Sequence, residues 1–419
     1  MIISENLITL TILVTLVCGY LLSSLADVLN LRHLSPTLPE EFSGTYDAKV
    51  YAASQEYLKA STRFGLLTSS LNLVFILGFW FFKGFAVVDT AVRQLDLGPI
   101  VTGVLFMGIL AVLRFVTQLP FKVYATFVLE ERFGFNNTTP ALFIKDMIKG
   151  GVLAAVIGIP FLALILWVFH SLGNQAWLWG WVLAAGFTLV MQYLVPTWIM
   201  PLFNRFSPLE DGELKQAIMD YAQKIRFPLT QVFVMDGSKR SKKSNAFFTG
   251  FGKNKRIVLF DTLIKNHTTP ELLAVLAHEM GHYKKHHILS RMVLAMAHMG
   301  LLFFLLSLCL SLDSLFAAFF VDTPSVHAGL IFFSLLMTPV DLVLSILVQA
   351  LSRRDEYQAD RYAAQTLGTG EHLILALKKL SADNLSNLTP HPFHVLLNYS
   401  HPPVLDRIQA LKPFTPQGK

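Results

Sequence analysis

Long apolar segments are the dominant pattern along this chain of 419 residues. A helix of about 20 apolar residues is long enough to cross a bilayer. Seven segments meet this length, and they lie at roughly 6–30, 64–88, 98–119, 150–172, 176–198, 289–312 and 326–350. The first segment has no basic residues before it and no small-residue cleavage site after it, so we expect it to remain as a membrane anchor.

The largest polar insertion, residues 199–288, separates the fifth apolar segment from the sixth. Its residue patterns predict a polar helix near 210–225, strands at 231–235 and 256–260, and a glycine-rich turn at 250–254. A second helix is predicted to begin at Thr269-Pro270-Glu271, which offers an N-cap, an early proline and an acid in the first turn. This helix leads almost directly into the sixth apolar segment.

Two shorter polar segments interrupt the N-terminal spans. Residues 31–63 predict a polar helical hairpin or loop, and residues 120–149 predict a second loop on the same side of the membrane. The chain thus divides into four parts: spans one to five with their loops (1–198), a polar insertion (199–288), spans six and seven (289–350) and a C-terminal polar part (351–419). The predicted fold is an all-α polytopic membrane protein with a small α+β domain on one face.

Composition agrees with a membrane protein, because 53% of the residues are hydrophobic and only 15% are charged. A typical soluble domain carries about 25% charged residues. The two cysteines, Cys18 and Cys309, lie in apolar segments, which excludes a disulfide framework and a cysteine-based metal site.

The distribution of basic residues predicts the orientation. Of 34 Lys and Arg residues, 31 fall in four segments on one side of the seven-span arrangement, at 31–63, 118–150, 199–291 and 351–419. The opposite loops at 171–176 and 313–325 contain none. The positive-inside rule therefore places the N-terminus outside and the C-terminus in the cytoplasm. Because topology accounts for the basic charge, we predict no nucleic-acid partner.

The candidate chemistry lies in the sequence His278-Glu279-Met280-Gly281-His282, inside a predicted helix. Two histidines four residues apart lie on one helical face, so both imidazoles can reach one zinc ion. Glu279 points to the neighbouring surface, where a carboxylate can take a proton from water and pass it to a leaving amine.

A third metal ligand is needed, because a catalytic zinc usually has three protein ligands and one open position. His286 and His287 follow the motif at an unusual spacing. A carboxylate from a second helix is the other common solution, and Glu356 with Asp360, four residues apart, can supply it. Glu356 would complete the site and Asp360 would hydrogen-bond a ligating imidazole. An ordinary surface helix with Arg–Asp pairs explains the same spacing equally well.

Residues 278–282 together with Ser352-Arg353-Arg354-Asp355-Glu356-Tyr357-Gln358-Ala359-Asp360 resemble the CAAX prenyl protease 1 family of integral-membrane zinc metalloproteases. Further similarity lies at 244–251, at 253–263, at 120–137, at 400–403 and at Arg407. The resemblance implies one Zn²⁺ per chain, held by His278, His282 and Glu356, with Glu279 as the general base.

The resemblance also implies residues that contact substrate. Asn245, Ala246 and Phe247 would bind an extended substrate as an added strand, through main-chain hydrogen bonds. His401 and Arg407 would approach the reacting carbonyl or a substrate carboxylate. Without the resemblance, His401 is an ordinary loop histidine beside two prolines.

The family fold encloses a large water-filled chamber within a ring of seven helices, so we expect the same of this chain. Arg114 and Asp341 are charged residues within apolar spans, where facing lipid costs several kcal/mol. They are therefore expected to face a polar interior or each other.

Three functions fit these observations. The family name implies removal of the last three residues from a prenylated C-terminal Cys-a-a-X peptide, with membrane lipid around the enzyme. A second hypothesis is a quality-control protease for misfolded or stalled membrane polypeptides. A third is a transporter or channel with a structural zinc, which Glu279 disfavours because a structural site needs no base. The C-terminal residues carry no retrieval signal, so a bacterial inner-membrane protein is expected.

Overall fold

We describe the fold from a computed structural model that covers residues 4–249 and 255–415. The turn predicted at 250–254 and the last four residues lie outside the described residues. The N-terminal part contains α1 (Glu5–Arg32), α2 (Ala48–Phe81), α3 (Gly84–Arg93), α4 (Gly98–Tyr124), α5 (Pro140–Leu153), α6 (Ile159–Ser171), α7 (Ala176–Leu194) and α8 (Met200–Phe203).

The polar insertion and the C-terminal part contain the remaining elements. The insertion holds β1 (Phe206–Pro208), α9 (Glu213–Lys224), β2 (Leu229–Met235), β3 (Ala246–Thr249), β4 (Lys255–Phe260), α10 (Asp261–Asn266) and α11 (Thr269–Lys284). After it come α12 (His287–Cys309), α13 (Asp313–Ala317), α14 (Val326–Leu336), α15 (Thr338–Leu367), α16 (Glu371–Asp383), α17 (Pro392–Asn398) and α18 (Val404–Leu411).

Among the described residues, six helical segments are long and apolar enough to cross a membrane, and α14 with α15 makes a seventh if the bent pair is one span. The bend between them is 56°. It lies just before Pro339, which lacks an N–H group and disfavours helical backbone at the preceding residue. The prediction of an all-α polytopic membrane protein with a small α+β part is confirmed.

The structure corrects the ends of the second span, predicted at 64–88. Helix α2 begins earlier, at Ala48, and ends at Phe81. Lys83 adopts the left-handed conformation with φ 61°, which ends one helix and starts the next. The prediction of a loop at 120–149 is also wrong, because α4 continues into a π-helical turn at Ala125–Glu130 and α5 begins at Pro140.

The sheet has four strands in the order β1-β2-β4-β3. Strands β2 and β4 are parallel, whereas β1 and β3 are antiparallel to their neighbours. Strand β3 therefore forms one edge of the sheet, and its only partner among the described strands is β4. An edge strand has one row of main-chain N–H and C=O groups available for another chain.

One hydrophobic core joins the sheet to the helices of the polar parts. It contains Ile218 of α9, Ile257 of β4, Leu276 of α11 and Ile408 of α18. Tyr51, from the first polar segment, is also buried in this core. The segment at 31–63 thus packs as part of the polar domain.

A second core closes the opposite ends of the spans. Trp80 donates a hydrogen bond to the Ala318 carbonyl over 2.7 Å, and His327 lies 2.8 Å from Asp89. Large apolar side chains from α1, α3, α4, α13 and α14 pack around these contacts. The helices are therefore tied together at both ends.

The two charged residues within apolar spans lie apart. Arg114 lines a cavity of about 550 Å³ together with Tyr20, Asn72 and Gln118, between α1, α2, α4 and α14. Asp341 lies 3.7 Å from His298, measured from its Oδ1 to the histidine Nε2. Arg114 thus lines a cavity between helices, and Asp341 lies near a histidine instead of the arginine.

Candidate metal centre

The helix that carries the histidine motif begins with a capping box. Its N-cap is Thr268, one residue before the predicted Thr269, and the Thr268 N–H donates to Glu271 Oε2 over 2.8 Å. The Lys379 ammonium donates to the same carboxylate over 2.8 Å. The buried start of α11 is thus fixed to α16, which holds the motif in one place.

Gly281 allows α11 to lie close to α15. A Cβ atom at this position would lie 3.1 Å from the Tyr362 ring and 3.2 Å from the Cα and carbonyl oxygen of Ala359. Such distances are tighter than ordinary van der Waals contact. The motif glycine therefore brings the two histidines of α11 against the glutamate of α15.

Three ligand atoms converge where the helices meet. The Nε2 atoms of His278 and His282 are 3.2 Å apart, and they lie 3.3 Å from different oxygens of Glu356, Oε2 for His278 and Oε1 for His282. Four ligands arranged tetrahedrally about 2.0 Å from zinc lie about 3.3 Å from one another. The buried Glu356 Oε2 has no hydrogen-bond donor among the described residues. Both observations show that these three residues fit a zinc ion with one position left open.

A buried ion pair supports the first ligand. His278 Nδ1 lies 2.8 Å from Asp360 Oδ1, so the predicted hydrogen bond to an imidazole is present. Arg407 donates to both oxygens of Asp360, over 2.8 Å from Nε and 2.7 Å from Nη2. Asp360 thereby keeps the proton of His278 on Nδ1 and leaves Nε2 free to bind a metal.

Protons compete with a cation for this site. Burial alone lowers the pKa of His278, but the carboxylates of Asp360 and Glu356 beside its two ring nitrogens outweigh burial and raise that pKa to about 9. A ligating imidazole must be neutral, so metal binding has to displace the proton.

Among the described residues, none forms a hydrogen bond with the Glu279 carboxylate. Burial raises the pKa of the Glu279 carboxyl, and the nearby histidines oppose this shift only in part. A raised pKa makes the carboxylate a stronger base. The arrangement leaves one free basic group beside the three ligand atoms.

His401 comes to the same place from the C-terminal part. Its Nε2 lies 3.5 Å from Glu356 Oε1, and its Nδ1 lies 2.9 Å from the Ser400 hydroxyl. The side chain keeps 62% of its accessible surface, so water or a substrate can reach it. The fold thus brings 278–282, 356–360 and 401–407 together.

Asn245, Ala246 and Phe247 lie at the start of the edge strand β3. Asn384 fixes the preceding residue, because its side chain accepts from the Ser244 N–H over 3.0 Å and donates to the Ser244 carbonyl over 3.2 Å. Strand β3 also packs against the same core as α11. The start of the edge strand is therefore held in position against the core that it shares with α11.

His287 has a role that the sequence pattern does not identify. The sequence offers it as a candidate ligand or as a polar residue at the membrane interface, yet its Nδ1 lies 3.1 Å from Nδ1 of His282, on the far side of that ring from the ligand cluster. The contact depends on a break between α11 and α12, which residue spacing alone does not predict.

Gly281→Val is expected to weaken zinc binding by forcing α11 and α15 apart. The branched side chain meets backbone atoms of Ala359 that have little room to move, and overpacking of this kind costs about 1–3 kcal/mol of folding free energy. Gly150→Val is a matched control, because nothing lies within 4 Å of that position. Metal content and thermal unfolding of both variants would test this. Equal zinc retention in the two proteins would contradict it.

A pair of histidines one helical turn apart and a glutamate from a second helix, with a free carboxylate between the histidines, define a metalloprotease type of site. Here the site belongs to a protein with several membrane spans. Residues 27–205 match the family described as CAAX prenyl protease N-terminal, five membrane helices, and residues 208–415 match peptidase family M48. The chain belongs to the CAAX prenyl protease 1 family, whose M48 peptidase part is a zinc metalloendopeptidase.

Individual relatives agree over nearly the whole chain. CAAX prenyl protease 1 of Saccharomyces cerevisiae is 37% identical over 411 residues, covering 91% of this chain and 90% of the relative. A CAAX prenyl protease 1 homolog of Arabidopsis thaliana is 36% identical and covers 96% of both chains. The crystal structure of S. mikatae Ste24p has a TM-score of 0.89 at 35% identity, over 96% of this chain and 98% of that one. These relatives are eukaryotic and give no support to a bacterial origin.

Proposed function

We propose that this protein hydrolyses peptide bonds near the C-terminus of prenylated Cys-a-a-X peptides and holds one zinc per chain through His278, His282 and Glu356. The proposal rests on the convergence of these three side chains, whose ligand atoms all lie within 4.8 Å of one another. The names of the relatives supply the substrate class, since the yeast and plant proteins are CAAX prenyl proteases.

Glu279 is the proposed general base. A bound zinc ion supplies Lewis acidity, which polarises a carbonyl and makes water easier to deprotonate. The Glu279 carboxylate takes a proton from the attacking water and then gives it to the nitrogen of the leaving amine. One peptide bond and one water thus become a carboxylate and an amine, with no other reactant.

His401 is the proposed hydrogen-bond donor to the developing oxyanion. Its exposed ring stands 3.5 Å from a ligand oxygen, so its Nε2–H can reach a substrate carbonyl bound beside the ligands. A preorganised donor of this kind stabilises charge that develops only in the transition state.

Arg407 and Asp360 are proposed to hold His278 in position. The Arg407 guanidinium is buried and uses two nitrogens on Asp360. Its Nη1 lies 3.8 Å from Glu356 Oε2, and this nitrogen is the one left for a substrate carboxylate. The predicted contact between Arg407 and the end of the substrate chain stays a prediction.

Strand β3 is the proposed substrate platform. An extended peptide that pairs with the free edge at Asn245-Ala246-Phe247 gains main-chain hydrogen bonds, which select for an extended backbone more than for sequence. Strand β3 is the last strand in the order β1-β2-β4-β3, so its edge opposite β4 lies on the outside of the sheet.

The position of the site relative to the membrane supports a lipidated substrate. Only Lys285 and His286 separate α11 from the membrane span α12. A prenyl chain buried in an apolar environment contributes about 0.8 kcal/mol per CH₂. A prenyl group held by membrane or apolar protein surface would thus keep the adjoining peptide close to the metal site.

Four matched peptides test this function: with and without a farnesyl group, and with a free or amidated C-terminus. We expect the lipidated peptide with a free terminus to be cleaved fastest by purified protein in lipid nanodiscs. Comparable initial rates for all four would contradict the prenyl-peptidase proposal and favour a quality-control protease, because such an enzyme would not need the lipid.

The proposed orientation places the site in the cytoplasm. In a protein whose Cys18 and Cys309 have been replaced, an impermeant maleimide should label Asn174→Cys only from the extracytoplasmic side. Lys215→Cys on α9, where the lysine side chain is 39% exposed, should be labelled only after permeabilisation. Labelling of position 215 in sealed vesicles from the extracytoplasmic side would reverse the assignment.

A further inference from the structure

We propose that His287 is a positioning residue, which fixes the tautomer and ring orientation of His282 and thereby sets how tightly the site holds zinc. The inference rests on the proposed ligation of zinc by His282. It is carried by a chain of contacts that runs from His282 through His287 to α15.

A helix break makes the first contact possible. On a continuous helix, residues five apart are separated by about 140° around the axis, so their side chains point away from each other. Here α11 ends at Lys284, and His286 adopts the left-handed conformation with φ 59° and ψ 23°. The chain turns at this residue, and the buried His287 at the start of α12 returns towards His282.

The contact determines where the protons lie. His282 binds metal through Nε2, so its remaining proton is on Nδ1, which must be a donor. His287 Nδ1, 3.1 Å away, is then the acceptor, and the proton of His287 lies on Nε2. A neutral His287 in this single tautomer satisfies both rings.

At the other end of this series of contacts, a side chain of helix α15 accepts a hydrogen bond from His287 Nε2–H. His287 Nε2 lies 3.3 Å from Gln358 Oε1 and 3.7 Å from Asp355 Oδ1. Arg291 in turn donates to Asp355 Oδ2 over 3.0 Å. Gln358 is thus the acceptor of the Nε2–H group, and the carboxylate of Asp355, held by Arg291, lies next to it.

Helix α15 therefore determines the positions of all three ligands. Asp360 of α15 orients His278 directly, and Gln358 of the same helix orients His282 through His287. Glu356, between them, is itself a ligand. One turn and a half of α15 therefore aligns the whole metal site, and a shift of this helix would disturb all ligands together.

Two conservative variants separate positioning from simple packing. In His287→Asn the amide oxygen occupies the place of Nδ1 and can accept from His282. In His287→Gln the amide lies at the place of Nε2 and leaves His282 without its acceptor. Both side chains are polar and of similar size, so both proteins should fold.

The measurement is the rate at which the purified, zinc-loaded full-length protein releases zinc to excess chelator. We expect release to be about 10–100-fold faster in His287→Gln and within about threefold of wild type in His287→Asn. The visible spectrum of cobalt-substituted protein should change only in His287→Gln. His286→Asn is the matched control, because asparagine tolerates the left-handed conformation and His286 touches no ligand; its release rate should not change.

Equal release rates in the Asn and Gln variants would overturn the proposal, and so would faster release from the Asn variant. His282→Ala distinguishes a failure of the underlying site. If His282→Ala released zinc no faster than wild type, His282 would not be a ligand, and the proposed function would need a different ligand set.

Discussion

Replacing Glu279 by glutamine is expected to abolish peptide cleavage while the protein keeps about one zinc per chain. The amide cannot accept the proton of the attacking water, and loss of a general base costs about 10²–10⁴ in rate. The three ligand atoms are unchanged, since Glu279 lies outside the 3.2–3.3 Å cluster. Single-turnover cleavage and metal analysis on the same sample would measure both effects.

Glu271→Gln is the matched control for this experiment. Glu271 is a buried glutamate on the same helix, but it caps the helix and accepts from Lys379. Its replacement should lower thermal stability and leave the rate per bound zinc close to wild type. If Glu279→Gln lost zinc along with activity, Glu279 would act as a ligand, and the base would have to be sought elsewhere.

Replacing Glu356 by glutamine is expected to remove both zinc and activity. A neutral amide is a much weaker zinc ligand than a carboxylate, and the variant also leaves Arg407 Nη1 near an uncharged group, 3.8 Å from the former Oε2 position. We expect zinc affinity to fall by more than about tenfold. Equilibrium competition with a chromophoric chelator measures this, and the exposed Glu371→Gln serves as the control.

Full activity in Glu356→Gln would place the third ligand elsewhere. His401 would then be the first residue to test, because its Nε2 lies within 3.5 Å of the carboxylate. His287 would be less suitable, since its Nδ1 faces Nδ1 of His282 and not the open side of the cluster.

The membrane spans could be predicted from apolar length, but their ends could not. The break between α2 and α3 depends on the left-handed backbone of Lys83, and the 56° bend depends on a proline inside an apolar segment. Neither interrupts the hydrophobic pattern. Tyr51 illustrates the same limit, because a polar-looking segment supplied residues to the core of the protease domain.

The metal ligands were predictable to different degrees. A spacing of four residues on one helix places His278 beside His282 and Glu356 beside Asp360, because helical geometry alone determines these pairs. Spacing cannot relate α11 to α15, because their close approach at Gly281 is a feature of tertiary packing. The position of His401 required the family resemblance, and His287 required the three-dimensional structure, since a single left-handed residue creates its contact.

The central claim is a zinc-dependent cut next to a prenylated cysteine, and mass analysis of the products tests it most directly. A farnesylated Cys-a-a-X peptide would be incubated with metal-free protein and with the same protein reloaded with one equivalent of zinc. The account predicts one pair of products, a farnesyl-cysteine peptide shortened by three residues and the free tripeptide, formed only after reloading and absent with Glu279→Gln. A zinc-loaded protein that leaves the peptide intact, or that cuts it equally well without metal, would contradict the account.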